Sequence, residues 1–146
     1  MGETKNKSSV LLSIFKRKGG EGPMTKIISD DNKQSFLNQI SLLIVEEQPL
    51  ICFKRDESNW LLITNTRIIE EKEGIRLAIP YCELVEVNLA MQEEFRDKVM
   101  NKKDFTRLVL KDTSGRSYIV RMEKGEPYQG IYQMLHHIVS SKKAAH

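Results

Sequence analysis

The residues that could do chemistry are few, and their spacing limits what they can do. His136 and His137 are neighbours; on a helix adjacent side chains project about 100° apart, so the pair cannot chelate one ion. No Asp, Glu or Cys stands three or four residues from either to complete a metal site. Ser114 precedes Gly115 in what reads as a hairpin turn, without the G-x-S-x-G elbow of a serine nucleophile. Cys82 has Glu83 beside it, which disfavours a thiolate. Cys52 lies in an apolar run, and both thiols read as small core hydrophobes of a reducing compartment. Glu70-Glu71 and Glu93-Glu94 are adjacent carboxylates that a solvated face accounts for. Gly19-Gly20-Glu21-Gly22 lacks the Lys-Ser/Thr and the preceding strand of a P-loop, and reads as a linker. The expectation is no catalytic residue, no metal and no cofactor, hence a chain that is not an enzyme and takes no small-molecule substrate.

Charge narrows the partners. The 146-residue chain is 40% hydrophobic and 29% charged, with a net charge of +3. Residues 1–23 hold five lysines and arginines against two acids, and the remainder balances at eighteen of each. A neutral body offers no concentrated basic face for nucleic acid. Lys54-Arg55 is the one weak anion-contact candidate, and Asp56-Glu57 follow it at once. In the tail, Val10, Leu11, Ile14 and Phe15 share one side of a helix, with Lys16, Arg17 and Lys18 adjoining. Ile14, Phe15, Lys16, Arg17 and Lys18 are therefore candidate contacts to a membrane or a partner chain. The three cations are worth about 3 kcal/mol near an anionic surface, at about 1 kcal/mol each. Lys5 and Lys7 precede too short an apolar stretch for a signal peptide, and no run approaches the ~20 apolar residues of a membrane span. The expected location is cytoplasmic, with the membrane periphery as a second setting.

These residues need elements to position them. Residues 1–23, ending in a Gly/Pro breaker, read as a basic flexible tail or linker, and 24–146 as one domain. Ser29-Asp30-Asp31 supplies N-cap oxygens, and Phe36, Leu37, Ile40, Leu43 and Ile44 form an apolar stripe before Pro49. The pattern predicts a leading helix over about 31–47. Seven strand candidates follow between about 50 and 122: 50–54, 60–64, 67–71, 75–79, 84–89, 105–111 and 117–122, with the charged stretch 92–103 between the fifth and sixth. Trp60, the single tryptophan, opens the second strand as a packing residue. Tyr128, Ile131, Leu135 and Ile138 then mark a closing helix over about 127–141, with Pro127 in its first turn.

Thr64-Asn65-Thr66-Arg67, Ile79-Pro80-Tyr81 with Leu84 and Val87, and the closing helix resemble the bacterial pleckstrin-homology-like domains over roughly residues 49–140. The resemblance implies a mainly β fold with α: a barrel of about seven antiparallel strands capped by the C-terminal helix, with the N-terminal helix as an addition. It also implies a non-enzymatic binding or scaffolding module acting on protein partners, further copies of itself included. Such folds accept an extended peptide by strand addition at the sheet edge beside the C-terminal helix. The alternative from another class is a peripheral membrane adaptor that uses the tail.

Overall fold

In the computed structural model, described here for residues 7–144, the seven expected strands are all present and an eighth precedes them. The chain is a mixed α/β fold in which all strand pairs are antiparallel. One sheet runs in the order β1 (Thr25–Ile27), β2 (Pro49–Asp56), β3 (Asn59–Thr64), β4 (Arg67–Lys72), β5 (Ile75–Pro80); the other is β6 (Leu84–Leu89), β7 (Arg107–Asp112), β8 (Ser117–Arg121). Four helices accompany them: α1 (Ser8–Lys18), α2 (Leu37–Ile40), α3 (Met91–Arg96) and the long closing helix α4 (Glu126–Ala144). No helix among the described residues is long and apolar enough to cross a membrane.

The sheets do not close into the expected barrel. No ladder joins them. Their seam is bridged by buried side chains instead: Glu70 Oε2 accepts the Arg121 N–H at 2.8 Å, and Glu123 Oε1 accepts the Met24 N–H at 3.0 Å and the Thr25 hydroxyl at 2.7 Å. Carboxylates can make these bonds where strand spacing is too wide for main-chain pairing. Between the sheets lies one large apolar core to which α4 contributes Tyr128, Ile131, Met134, Leu135, Ile138 and Val139. The apolar stripe of the closing helix is thus buried, as its spacing predicts, against an open pair of sheets instead of in a barrel mouth.

The expectation of a flexible tail over 1–23 is overturned for its described part. Residues 8–18 form α1, which packs on α4 and buries Leu11, Ile14 and Phe15 in the main core. An isolated helix of this length is marginal in water, so the packing sustains it. Gly19 and Gly130 make the close crossing: a Cβ on Gly130 would lie 2.7 Å from Phe15 Cδ1, and one on Gly19 would lie 2.4 Å from the Gly130 nitrogen. Gly19 therefore serves helix packing and is no linker. Residues 1–6 of the expected tail, with Lys5, and His146 at the other end fall outside the described residues.

The predicted helix over 31–47 is also corrected. Only a 3-10 turn (Lys33–Phe36) and the single turn of α2 form there. The segment is rich in Asn and Ser, whose side chains compete for helical hydrogen bonds: Asn32 Oδ1 accepts the Ser29 N–H and Ser41 Oγ donates to the Asn38 carbonyl. The chain lies instead as an irregular cover on the outer face of the five-stranded sheet. There Phe36, Ile28, Ile40, Leu42 and Leu43 pack on Cys52, Trp60, Leu62 and Ile69, while Leu37, Ile44 and Val45 are exposed. This second cluster explains why β2 and β3 read as nearly continuous apolar runs: both of their faces are covered.

Candidate functional site

The Thr64–Arg67 turn is built around a buried acid that the sequence reading did not single out. Glu47 Oε2 accepts the Thr64 hydroxyl at 2.7 Å, the Thr66 hydroxyl at 3.1 Å and Arg67 Nε at 2.9 Å, and its Oε1 accepts Arg67 Nη2 at 3.1 Å. Burial raises the Glu47 carboxyl, but bonds from Arg67, Thr64 and the Ile44 N–H, with the Arg67 charge, hold it below the ordinary glutamate value. Asn65 pairs with Gln48 on both sides, and the buried Tyr81 hydroxyl donates to the Thr64 carbonyl at 2.8 Å. Burial drives the Tyr81 phenol far above its usual pKa. Thr64, Asn65, Thr66, Arg67 and Tyr81, five of the residues that carried the resemblance, thus form a polar knot clamping the end of the 28–48 cover. The hint to Glu47 in the sequence was the Glu46-Glu47 pair next to Gln48-Pro49, at the end of an apolar stretch.

The same knot fixes the direction of β5. The Tyr81 N–H donates to the Thr66 carbonyl, and the ladder pairs Arg67 with Pro80, Ile69 with Ala78 and Glu71 with Arg76. Hydrogen-bonded and non-bonded pairs alternate in an antiparallel ladder. Ile75, Leu77 and Ile79 therefore bond to β4, and Arg76, Ala78 and Pro80 turn their main-chain groups away from the sheet. β5 is an edge strand; Arg76 and Ala78 are exposed, and Ile75 is 77% exposed. Pro80 has no N–H to offer and occupies an edge position, where proline is tolerated. The turn leading into β5 needs positive φ at Glu73 (51°) and Gly74 (85°), a hairpin geometry that holds the strand's start on β4. In the three-stranded sheet, the edge strand β6 is the one beside α4. There the Lys142 ammonium donates to the Tyr81 and Leu84 carbonyls, so the start of that edge is engaged within the chain. Burial lowers the Lys142 pKa.

The weak anion candidates separate. Lys54 points to the cover, where it pairs with Glu57 and donates to the Ser35 carbonyl at 2.8 Å. Arg55, one residue on, lines a cleft of about 520 Å³ at the seam, with Phe53, Lys72, Met122 and the buried Glu70. Burial raises the Glu70 carboxyl, partly offset by the Arg121 N–H and the charges of Lys72 and Arg121. Arg107, also on the cleft, is committed to Glu94 at 3.3 Å and Asp97 at 2.7 Å.

The tail candidates separate as well. Ile14 and Phe15 are buried in this chain's own core and are not available to a bilayer or partner, whereas Lys16, Arg17 and Lys18 are exposed. The apolar half of the expected tail contact is thereby corrected: α1 spends its greasy side on α4. His136 and His137 each lie near a serine hydroxyl one turn on, at 3.5 and 3.4 Å, and the His136 ring also packs on Tyr132 with ring centres 6.0 Å apart; no group of three metal-binding side chains occurs among the described residues. Cys52 is fully buried, with burial pushing its thiol up to about 12, and Cys82 is exposed. Trp60 is buried under the cover with the Arg76 guanidinium 5.9 Å from its ring centre, a packing role as expected. Compared with family models, curated proteins and solved structures, the chain matches none.

Proposed function

We propose that this chain is a cytoplasmic, non-enzymatic binding or scaffolding module of pleckstrin-homology-like type, which takes an extended segment of a protein partner, a further copy of itself included, along the outer edge of β5. The observation that carries the reading is the register of β5, which turns the main-chain groups of the exposed residues Arg76 and Ala78 away from β4, with the exposed Ile75 beside them. Main-chain pairing supplies affinity at such an edge, and alternate side chains supply selectivity. Supporting the family part is the order of elements, a four-strand meander (β2 to β5) and a three-strand meander (β6 to β8) followed by a helix. The open seam departs from the closed barrel of that resemblance.

Ala78→Pro tests the site, because it deletes an N–H that points away from β4 and leaves the ladder intact. Random peptides displayed against the full chain, together with its solution mass over a concentration series, will reveal the partner. The expected result is enrichment of extended peptides or a concentration-dependent dimer. Amide-exchange protection should then appear at Arg76 and Ala78, and affinity should fall at least ~10-fold in the proline variant. Undiminished binding by that variant would refute the site. A monomer that enriches no peptide would refute the function.

A further inference from the structure

A second surface lies where the end of α1, the 100–103 loop and the start of α4 meet. Arg17, Lys18 and Lys103 line one groove there with Gly125, Glu126 and Gln129. Lys16 and Lys102, next to them in the chain, are exposed as well. None of Lys16, Arg17, Lys18, Lys102 and Lys103 is held in an ion pair among the described residues, whereas the acids close by in the chain are committed: Asp97 to Arg107 at 2.7 Å and Asp104 to Lys124 at 3.7 Å. Glu126 is the acid facing the groove. The N-terminal end of the 19-residue α4 adds the positive end of its dipole.

Exposed apolar groups flank the 100–103 loop. Phe95 is 41% exposed and stacks edge-on against Phe105, with ring centres 6.3 Å apart; Phe105 stacks in turn on Tyr128 of the first turn of α4, at 6.4 Å. Met100, two residues before Lys102, is 66% exposed. The aromatic row holds Phe95 at the surface beside the loop that carries the lysines.

We propose that this corner docks on an anionic bilayer, with Lys16, Arg17, Lys18, Lys102 and Lys103 among the headgroups and Phe95 and Met100 entering the interface. Clustered cations beside exposed apolar side chains fit the interfacial layer of such a membrane. Four of the five cations are lysines, mobile point charges suited to laterally mobile headgroups, whereas a fixed phosphate backbone is matched better by the planar fork of arginine. The inference stands apart from the β5 edge, since it uses none of the same residues.

Sedimentation of the full chain with vesicles of phosphatidylcholine containing about 30% phosphatidylserine, beside pure phosphatidylcholine, tests it. The expected result is partition onto the anionic vesicles alone, weakened at least ~10-fold on going from low to roughly 0.5 M salt, where screening is short-ranged. The double reversal Lys102→Glu, Lys103→Glu should lower partition by at least ~10-fold with an unchanged unfolding midpoint, and the triple reversal Lys16→Glu, Arg17→Glu, Lys18→Glu should do the same in a chain that stays folded with a lowered midpoint, since acids then replace cations in the last turn of α1. Phe95→Ser should lower it by a few-fold, about what losing one inserted side chain costs. Equal binding to both vesicle types, or reversal variants that fold and bind as before, would overturn the proposal. So would retention of a single-stranded oligonucleotide or an acidic peptide with no retention of vesicles.

Discussion

Glu47 and Arg67 show what one buried ion pair does in this fold. The Glu47 side chain is 1% exposed and that of Arg67 25%, so the acid depends on its partner for the solvation it has lost. Removing Arg67 leaves the carboxylate with the Thr64 and Thr66 hydroxyls and one N–H, and Arg67→Ala should cost about 3 kcal/mol in urea unfolding. The pH dependence has a definite sign. The folded-state value of Glu47 lies below that of the unfolded chain, so its stabilisation is fully present above about pH 4.3, the unfolded glutamate value, and fades as pH falls through the folded value. Glu47→Gln should be less stable at neutral pH, with a flatter stability curve on the acid side. Parallel curves for the two proteins would show that Glu47 does not carry this linkage.

At the scale of elements, the crossing of α1 and α4 is the sharpest feature. Gly130 sits in the middle of a helix, where alanine would ordinarily gain up to about 1 kcal/mol. Here a Cβ would lie 2.7 Å from the Phe15 ring and 2.9 Å from the Phe15 carbonyl oxygen, and the second of these is backbone that cannot swing aside. Overpacking of that kind costs about 1–3 kcal/mol. Gly130→Ala is expected to lower stability by about 1–2 kcal/mol in denaturant melts. A stabilised variant would mean that α1 is not seated on α4 as described.

For the molecule as a whole, two apolar clusters share one sheet but are unequal. The main core lies between the sheets with α1 and α4, and the smaller cluster lies under the 28–48 cover, which has little regular structure and is clamped by the Glu47 knot. Elements with few buried contacts open below the global unfolding free energy. The two cysteines report on this directly, because Cys82 is exposed and Cys52 lies beneath the cover with its thiol pushed up to about 12. A thiol reagent at mildly alkaline pH should modify Cys82 at once and Cys52 slowly, at a rate that depends little on low urea and rises in Arg67→Ala. Labelling of Cys52 that tracks global unfolding at every urea concentration would show that cover and core unfold as one unit.

Seven strands and the closing helix were legible in the sequence because their signals are local. The alternation of Ile75, Leu77 and Ile79, the Thr113–Gly115 turn and the Tyr128–Ile138 stripe each reflect a period set by the backbone within a few residues. The tail and the 31–47 stripe misled for a matching reason. An apolar stripe says that a face is buried, not what covers it or whether neighbouring Ser and Asn will let a helix form around it. Only the tertiary structure decided that α1 lies across α4 at Gly19 and Gly130, and that Glu47 reaches Thr64 and Arg67 some twenty residues on. It alone separated Lys54 from Arg55, and it left the two sheets bridged by Glu70 and Glu123 instead of a ladder. Each of these depends on surfaces that meet across long sequence separations, where shape and the need to satisfy buried charge choose the partner and local pattern carries no record of it.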